Sequence, residues 1–173
     1  MSKSVELRRH TDSDGDVLSQ EGIEAAVEIG RNSDASFEVA VSSGAQRATQ
    51  TIACIIGGHG GPVAGGTRVD ERLRNAEDRW RETYEKADAG DIDSFRKADS
   101  EFVDSECKAL ADVLREIFGD VSEGGRALVV GHSPMQEAAA FGLTGRAVEP
   151  LSKGAGVLVV EEGDDYQVEE LPY

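Results

Sequence analysis

The spacing of apolar residues changes several times along the chain, and each change marks an element. Val5 to Arg9 reads as a first strand, followed by a polar, glycine-containing loop over Asp12 to Asp16. Ser19 is placed to cap a helix whose Ile23, Ala26, Val27 and Gly30 recur at helical spacing. Phe37 to Val41 is a short apolar run suited to a buried strand. Ser43 followed by Gln46 fits a capping box, and Ala45, Ala48, Ile52 and Ile55 share one face of the helix it would start. Gly57 to Pro62 and Gly65-Gly66 are expected to break that helix and form a flexible connector.

An extended piece at Thr67 to Val69 precedes a charged region with an expected helix over Glu77 to Lys86. Val103, Cys107, Leu110, Leu114 and Ile117 then alternate between spacings of four and three, predicting a stronger helix that ends by Gly124-Gly125. Ala127 to Val130 is a buried strand running into a Gly131-His132 turn. Ser133 to Gln136 repeats the capping-box pattern, with Pro134 at the first helical position. Gly156 to Val160 and Tyr166 to Glu170 close the chain as strands joined through Gly163-Asp164-Asp165. Strands alternating with helices predict a three-layer α/β/α sandwich with a mainly parallel central sheet. The 173 residues suit one domain over 1–173, with a short helical insertion at about 70–100.

Charge and cysteine usage narrow the partners. A formal charge of −16 argues against nucleic acid and anionic membrane surfaces, which require positive patches. Only five of the eighteen basic residues are lysines, so the surface is rich in carboxylates. Adaptation to high salt and an ordinary acidic cytoplasmic protein both account for that balance. No apolar run reaches membrane-spanning length, no leader-like segment precedes the first strand, and Cys54 and Cys107 lack ligand-like spacing. The expectation is a cytoplasmic protein with free thiols.

Candidate chemistry collects at strand–helix junctions. Arg9-His10 and Gly131-His132-Ser133 each end an expected strand, and Arg47 lies in the first turn of a helix. In open α/β sheets the ligand crevice lies beyond the carboxyl ends of the strands, so these groups share one address. Guanidinium forks match phosphate oxygens, and a helix N-terminus offers free N–H groups to an anion. Two imidazoles and two guanidiniums are the parts needed to hold a phosphoryl group and attack it. Arg8, adjacent to Arg9 in a strand, faces the other side of the sheet. His59 reads as a solvated loop residue.

Three segments in order resemble the histidine phosphatase superfamily, which includes cofactor-dependent phosphoglycerate mutases and phosphohistidine phosphatases. They are Arg9-His10-Thr11, the Ser42 to Thr51 segment with Gly44 where the family has proline, and Val130 to Met135. The resemblance implies a phosphoglycerate mutase-like fold and in-line attack by His10 on phosphorus. The resulting phosphohistidine is hydrolysed by water, with no metal or cofactor. His132, Arg9 and Arg47 would stabilise the equatorial oxygens, and Thr11 and Ser133 would contact the substrate. The family's general-acid glutamate corresponds to Asn75 here, which makes Glu77 and Asp78 the candidate substitutes.

The short segment before His132 resembles the compact phosphohistidine phosphatases rather than mutases. The expected substrate is therefore a phosphorylated small molecule or a phosphohistidine protein. The alternatives are a phospho-ligand-binding regulatory protein with little or no turnover, or a phosphoglycerate mutase-type phosphotransferase.

Overall fold

The computed structural model describes residues 1–171; Pro172 and Tyr173, the end of the expected single domain, lie outside the described residues. Strand β1 (Ser4–Arg9) is followed by a small hairpin, β2 (Ser13–Asp14) and β3 (Val17–Leu18), where the sequence pattern suggested only a loop. Next come α1 (Gln20–Asn32), β4 (Val39–Ser42), α2 (Gln46–His59) and β5 (Thr67–Val69). A 3-10 turn at Glu71–Arg74 leads to α3 (Glu77–Ala87), α4 (Ile92–Ala98) and α5 (Ser100–Gly119). The chain closes with β6 (Arg126–Gly131), α6 (Met135–Thr144), β7 (Gly156–Glu162) and β8 (Asp165–Glu170).

The six-stranded sheet has the order β5-β4-β6-β1-β7-β8. Its first three pairings are parallel and the last two antiparallel. Strand alternation divides the core between two faces. Ala40, Leu128 and Val130 pack with Ala26 and Ile29 of α1 and Ile52 and Ile55 of α2. Val39, Val41, Ala127, Val129, Val5 and Leu7 pack on the other side with residues of α3 to α6. Helices cover both faces, as the sandwich pattern predicted.

Two helix-level expectations change. The glycines at 57 and 58 do not break α2, which runs to His59 and ends where Gly60 adopts a left-handed φ of 79°. Gly58 lies against the Val27 carbonyl of α1, and Gly30 of α1 lies against the Ile55 carbonyl. A methyl group at either position would collide with backbone, so these glycines are what let the two helices touch. His59 is consequently helical and partly buried, with its ring 5.8 Å from that of Phe37.

The capping boxes also differ. Ser19 caps α1 as expected, accepting from Gly22 N–H at 3.0 Å. The N-caps of α2 and α6 are Ala45 and Pro134, neither with a side-chain cap bond. Ser43 and Ser133 instead spend their hydroxyls elsewhere, as described below.

Candidate active site

Strand register brings the histidines together. Leu7 pairs with Val129 and Arg9 with Gly131 in the parallel β1–β6 ladder. The next residue in each chain, His10 and His132, therefore emerges at the same carboxyl edge, and His10 N–H donates to Gly131 O at 3.0 Å. Their rings lie 5.4 Å apart at 60°. On the far side of β6, Ser42 pairs with Val130, which brings Ser43 beside His132. Arg47 follows in the first turn of α2.

The hydrogen bonds fix both tautomers. His10 Nδ1 lies 2.8 Å from the Thr11 carbonyl, which can only accept, so Nδ1 carries the proton and Nε2 the lone pair. Burial, followed by the charges of Arg47, Arg9 and Lys153, holds the His10 pKa below its ordinary value, against the opposing pull of the Thr11 bond. Desolvation leads here, and the arginines reinforce it. His132 is more perturbed: burial first, then Arg47 and His10, press its pKa down to about 3. Arg47 Nη2 donates to its Nδ1 at 3.4 Å, so Nε2 bears the proton and gives it to Ser43 Oγ at 2.8 Å.

Arg47 is held from two directions, since its Nη1 donates to Asp16 in the β2–β3 hairpin at 2.8 Å. Burial opposes ionisation of Asp16, but the N–H groups of Arg47 and Gln46 and the Arg47 guanidinium hold its carboxyl below the usual range. Asp16 thus supplies the negative charge at the start of α2 that no local side chain supplies. On the His10 side, Arg9 Nη1 donates to Leu151 O at 3.0 Å. Arg8 is turned away as expected, buried in an ion pair with Glu6 at 2.6 Å and bonded to Gly154 O at 2.8 Å.

A cavity of about 320 Å³ opens at this edge. Arg9, His10, Arg47, His132 and Ser133 line it, and α3 forms its roof with Glu77, Trp80, Arg81 and Tyr84. A larger cavity of about 550 Å³, between the α6–β7 loop and β8, contains neither imidazole.

Not every expected group joins the cavity. Thr11 does not line it; the Thr11 hydroxyl donates to Gly22 O at 2.8 Å, so its proton is unavailable to a ligand. Ser133 lines the cavity but gives its proton to Glu137 Oε1 at 2.5 Å. Asp78 points to solvent, 90% exposed and paired with Arg81. Glu77 is the only carboxyl among the described lining residues, and Arg74 Nε donates to it at 2.9 Å. Asn75 is exposed and outside the cavity. Ala76 between them takes a left-handed φ of 58°, a turn that separates Asn75 from the roof helix.

Sequence reasoning missed Ser43 as a histidine partner, Asp16 as the brace on Arg47, and the aromatic roof. Ser43 was visible only as a cap. Asp16 had no signal, because its partner lies 31 residues away.

The described residues include no helix long and apolar enough to cross a membrane. Several solved structures share the fold. A phosphoserine phosphatase from Entamoeba histolytica bound to 3-phosphoglyceric acid has a TM-score of 0.72 at 16% identity, covering 97% of this chain and 95% of that one. A phosphoglycerate mutase from Bacillus anthracis gives 0.68 at 20% identity, covering 98% and 93%. The protein histidine phosphatase SixA bound to tungstate gives 0.58 at 17% identity, covering 96% and 94%. No curated protein sequence matches significantly. The sequence profile of the histidine phosphatase superfamily, branch 1, matches residues 2–154, a span that runs from the His10 strand past the His132 helix, and the chain belongs to that family.

Proposed function

We propose that this protein is a metal-independent phosphatase that hydrolyses a phosphomonoester or a phosphohistidine through a covalent intermediate on His10. The observation that carries this reading is the fixed tautomer of His10, whose Nε2 lone pair sits beside a second neutral imidazole and two arginines. Nε2 attacks phosphorus, the N–P bond forms and the bond to the leaving group breaks in line. Arg9, Arg47 and His132 bind the equatorial oxygens as charge develops. Glu77 gives the leaving atom its proton and then takes one from the water that hydrolyses phospho-His10. Orthophosphate leaves and neutral His10 is restored.

The α3 side chains Trp80, Arg81 and Tyr84 line the cavity beside both histidines and offer a small phosphorylated molecule contacts beyond its phosphoryl group, which favours such a substrate over a protein-borne phosphohistidine. One observation supports the regulatory alternative: Glu77, the single carboxyl among the described lining residues, is engaged by Arg74. A panel of p-nitrophenyl phosphate, sugar phosphates, nucleotides and a phosphohistidine protein decides between them. Turnover with release of orthophosphate supports the phosphatase. Binding without turnover across the panel supports the regulatory reading, and transfer to a second hydroxyl of a retained substrate supports a mutase. Within the same panel, Glu77→Gln should lower kcat/KM for alkyl phosphates by roughly 100-fold, while p-nitrophenyl phosphate, with its good leaving group, changes little. Equal losses on both substrates would remove Glu77 from the role of proton donor.

Anion binding should also take up protons. In the free protein His132 is neutral, and its Nδ1 accepts from Arg47. A dianion drawing the Arg47 guanidinium to itself leaves Nδ1 facing negative charge, which raises the imidazole pKa. A group with a higher pKa in the bound state makes binding tighter as pH falls. Sulfate keeps its charge across pH 8 to 5, so its affinity by calorimetry should rise through that interval, by at most about tenfold per proton per pH unit. His132→Ala should flatten the slope. A wild-type affinity independent of pH would exclude the coupling.

A further inference from the structure

The loop between α6 and β7 meets the His10 strand on one side and α6 on the other, and a buried carboxyl sits at the junction. Glu137 lies in the first turn of α6 and is 1% exposed. Its Oε1 accepts from Ser133 Oγ at 2.5 Å and from Leu151 N–H at 2.8 Å. The carbonyl of the same Leu151 accepts from Arg9 Nη1 at 3.0 Å. Glu137 Oε2 and Arg9 Nε, both buried, have no hydrogen-bond partner among the described residues. The helix that follows one histidine thereby grips, through a single buried residue, the arginine that precedes the other.

A purely structural tie would not need a carboxyl here. A glutamine oxygen accepts the same two bonds and avoids the cost of burying charge. That cost is real, since burial pushes the Glu137 carboxyl up, and the charge of Arg9 is among the influences that pull it back. The geometric link from this carboxyl to Arg9 runs through the Leu151 peptide, whose N–H it holds and whose carbonyl Arg9 holds.

We propose that Glu137 is a positioning residue for Arg9, fixing the guanidinium through the Leu151 peptide and through its own negative charge in the orientation that grips a phosphoryl group. This rests on the reading of Arg9 as a phosphoryl ligand given above. Glu137 touches no substrate, and its effect is exerted entirely through Arg9 and the loop.

A double-mutant cycle on orthophosphate affinity separates the two claims. Dissociation constants are measured at pH 7 for the wild type, Glu137→Gln, Arg9→Met and the double variant, with melting temperatures alongside. Glu137→Gln should weaken binding about tenfold while the melting temperature holds, a coupling typical of residues sharing one network. Arg9→Met should weaken it at least as much. In the Arg9→Met background Glu137→Gln should add less than about a further twofold. Wild-type affinity in Glu137→Gln, or additive losses in the double variant, overturns the positioning role while leaving Arg9 as a ligand. Wild-type affinity in Arg9→Met overturns the assignment of Arg9 itself, and the proposal with it. Should Glu137→Gln fail to fold, Glu137→Asp, which keeps the charge but withdraws it by one methylene, enters the same cycle under the same criteria.

Discussion

His10→Ala is expected to lose turnover by roughly a million-fold, the scale seen when a covalent nucleophile is removed. The residue combines two properties that no neighbour reproduces. Its Nδ1 proton is committed to the Thr11 carbonyl, which leaves the lone pair on Nε2. Burial and the adjacent cations keep the ring neutral, so the lone pair is present at physiological pH. His132 cannot substitute, because its Nε2 carries the proton given to Ser43 and its Nδ1 faces Arg47. Rapid quenching with phosphorus-labelled substrate should trap an acid-labile, base-stable phosphoenzyme in the wild type and none in His10→Ala. The melting temperature should hold, because the side chain lines a cavity rather than filling the core. Retained activity in the variant would require a different nucleophile and would end the covalent reading.

His132→Ala is expected to lower kcat by roughly 100- to 1,000-fold, or about 2.7–4 kcal/mol, with the phosphoenzyme still detectable. In the free protein the ring bridges Ser43 and Arg47, so it both supports the arginine and occupies the floor of the cavity. Once the bound dianion raises its pKa and it takes a proton from solvent, it becomes a donor aimed at developing charge. Removing it leaves the nucleophile intact and the transition state less well held. Single-turnover kinetics check this: formation of phospho-His10 should slow, while its trapped product is chemically unchanged. A loss confined to KM, with kcat preserved, would make His132 a ground-state ligand only.

The Arg9-His10 and Gly131-His132 segments each follow a run of apolar residues, and a strand that ends in a polar residue needs little context to be read. Arg8 was assigned to the opposite face by alternation alone, and its buried partner Glu6, two residues earlier on the same face, bears that out. The glycines of α2 misled because their signal is ambiguous. A glycine pair breaks a solvated helix but permits contact in a packed one, and only the approach of Val27 decides between them. The paired Ser and Gln of the two apparent capping boxes misled for a similar reason. Ser43 and Ser133 found stronger partners in His132 and Glu137, and Gln136 turned its amide to the Arg8 and Val129 carbonyls at 2.9 and 3.1 Å.

Local pattern by itself determined the alternation of strands and helices, the layered architecture it implies, and the types of side chain that stand at the carboxyl ends of β1 and β6. These are consequences of short-range periodicity and of where apolar runs stop. Tertiary structure alone decided the pairing of Arg9 with Gly131, the tautomers of both histidines and the bracing of Arg47 by Asp16. It also chose Glu77 over Asp78 as the carboxyl that lines the cavity. Each of those depends on a partner supplied by a distant segment or on the rotation of one helix against the sheet. Such partners are selected by register and packing, which a linear pattern does not contain.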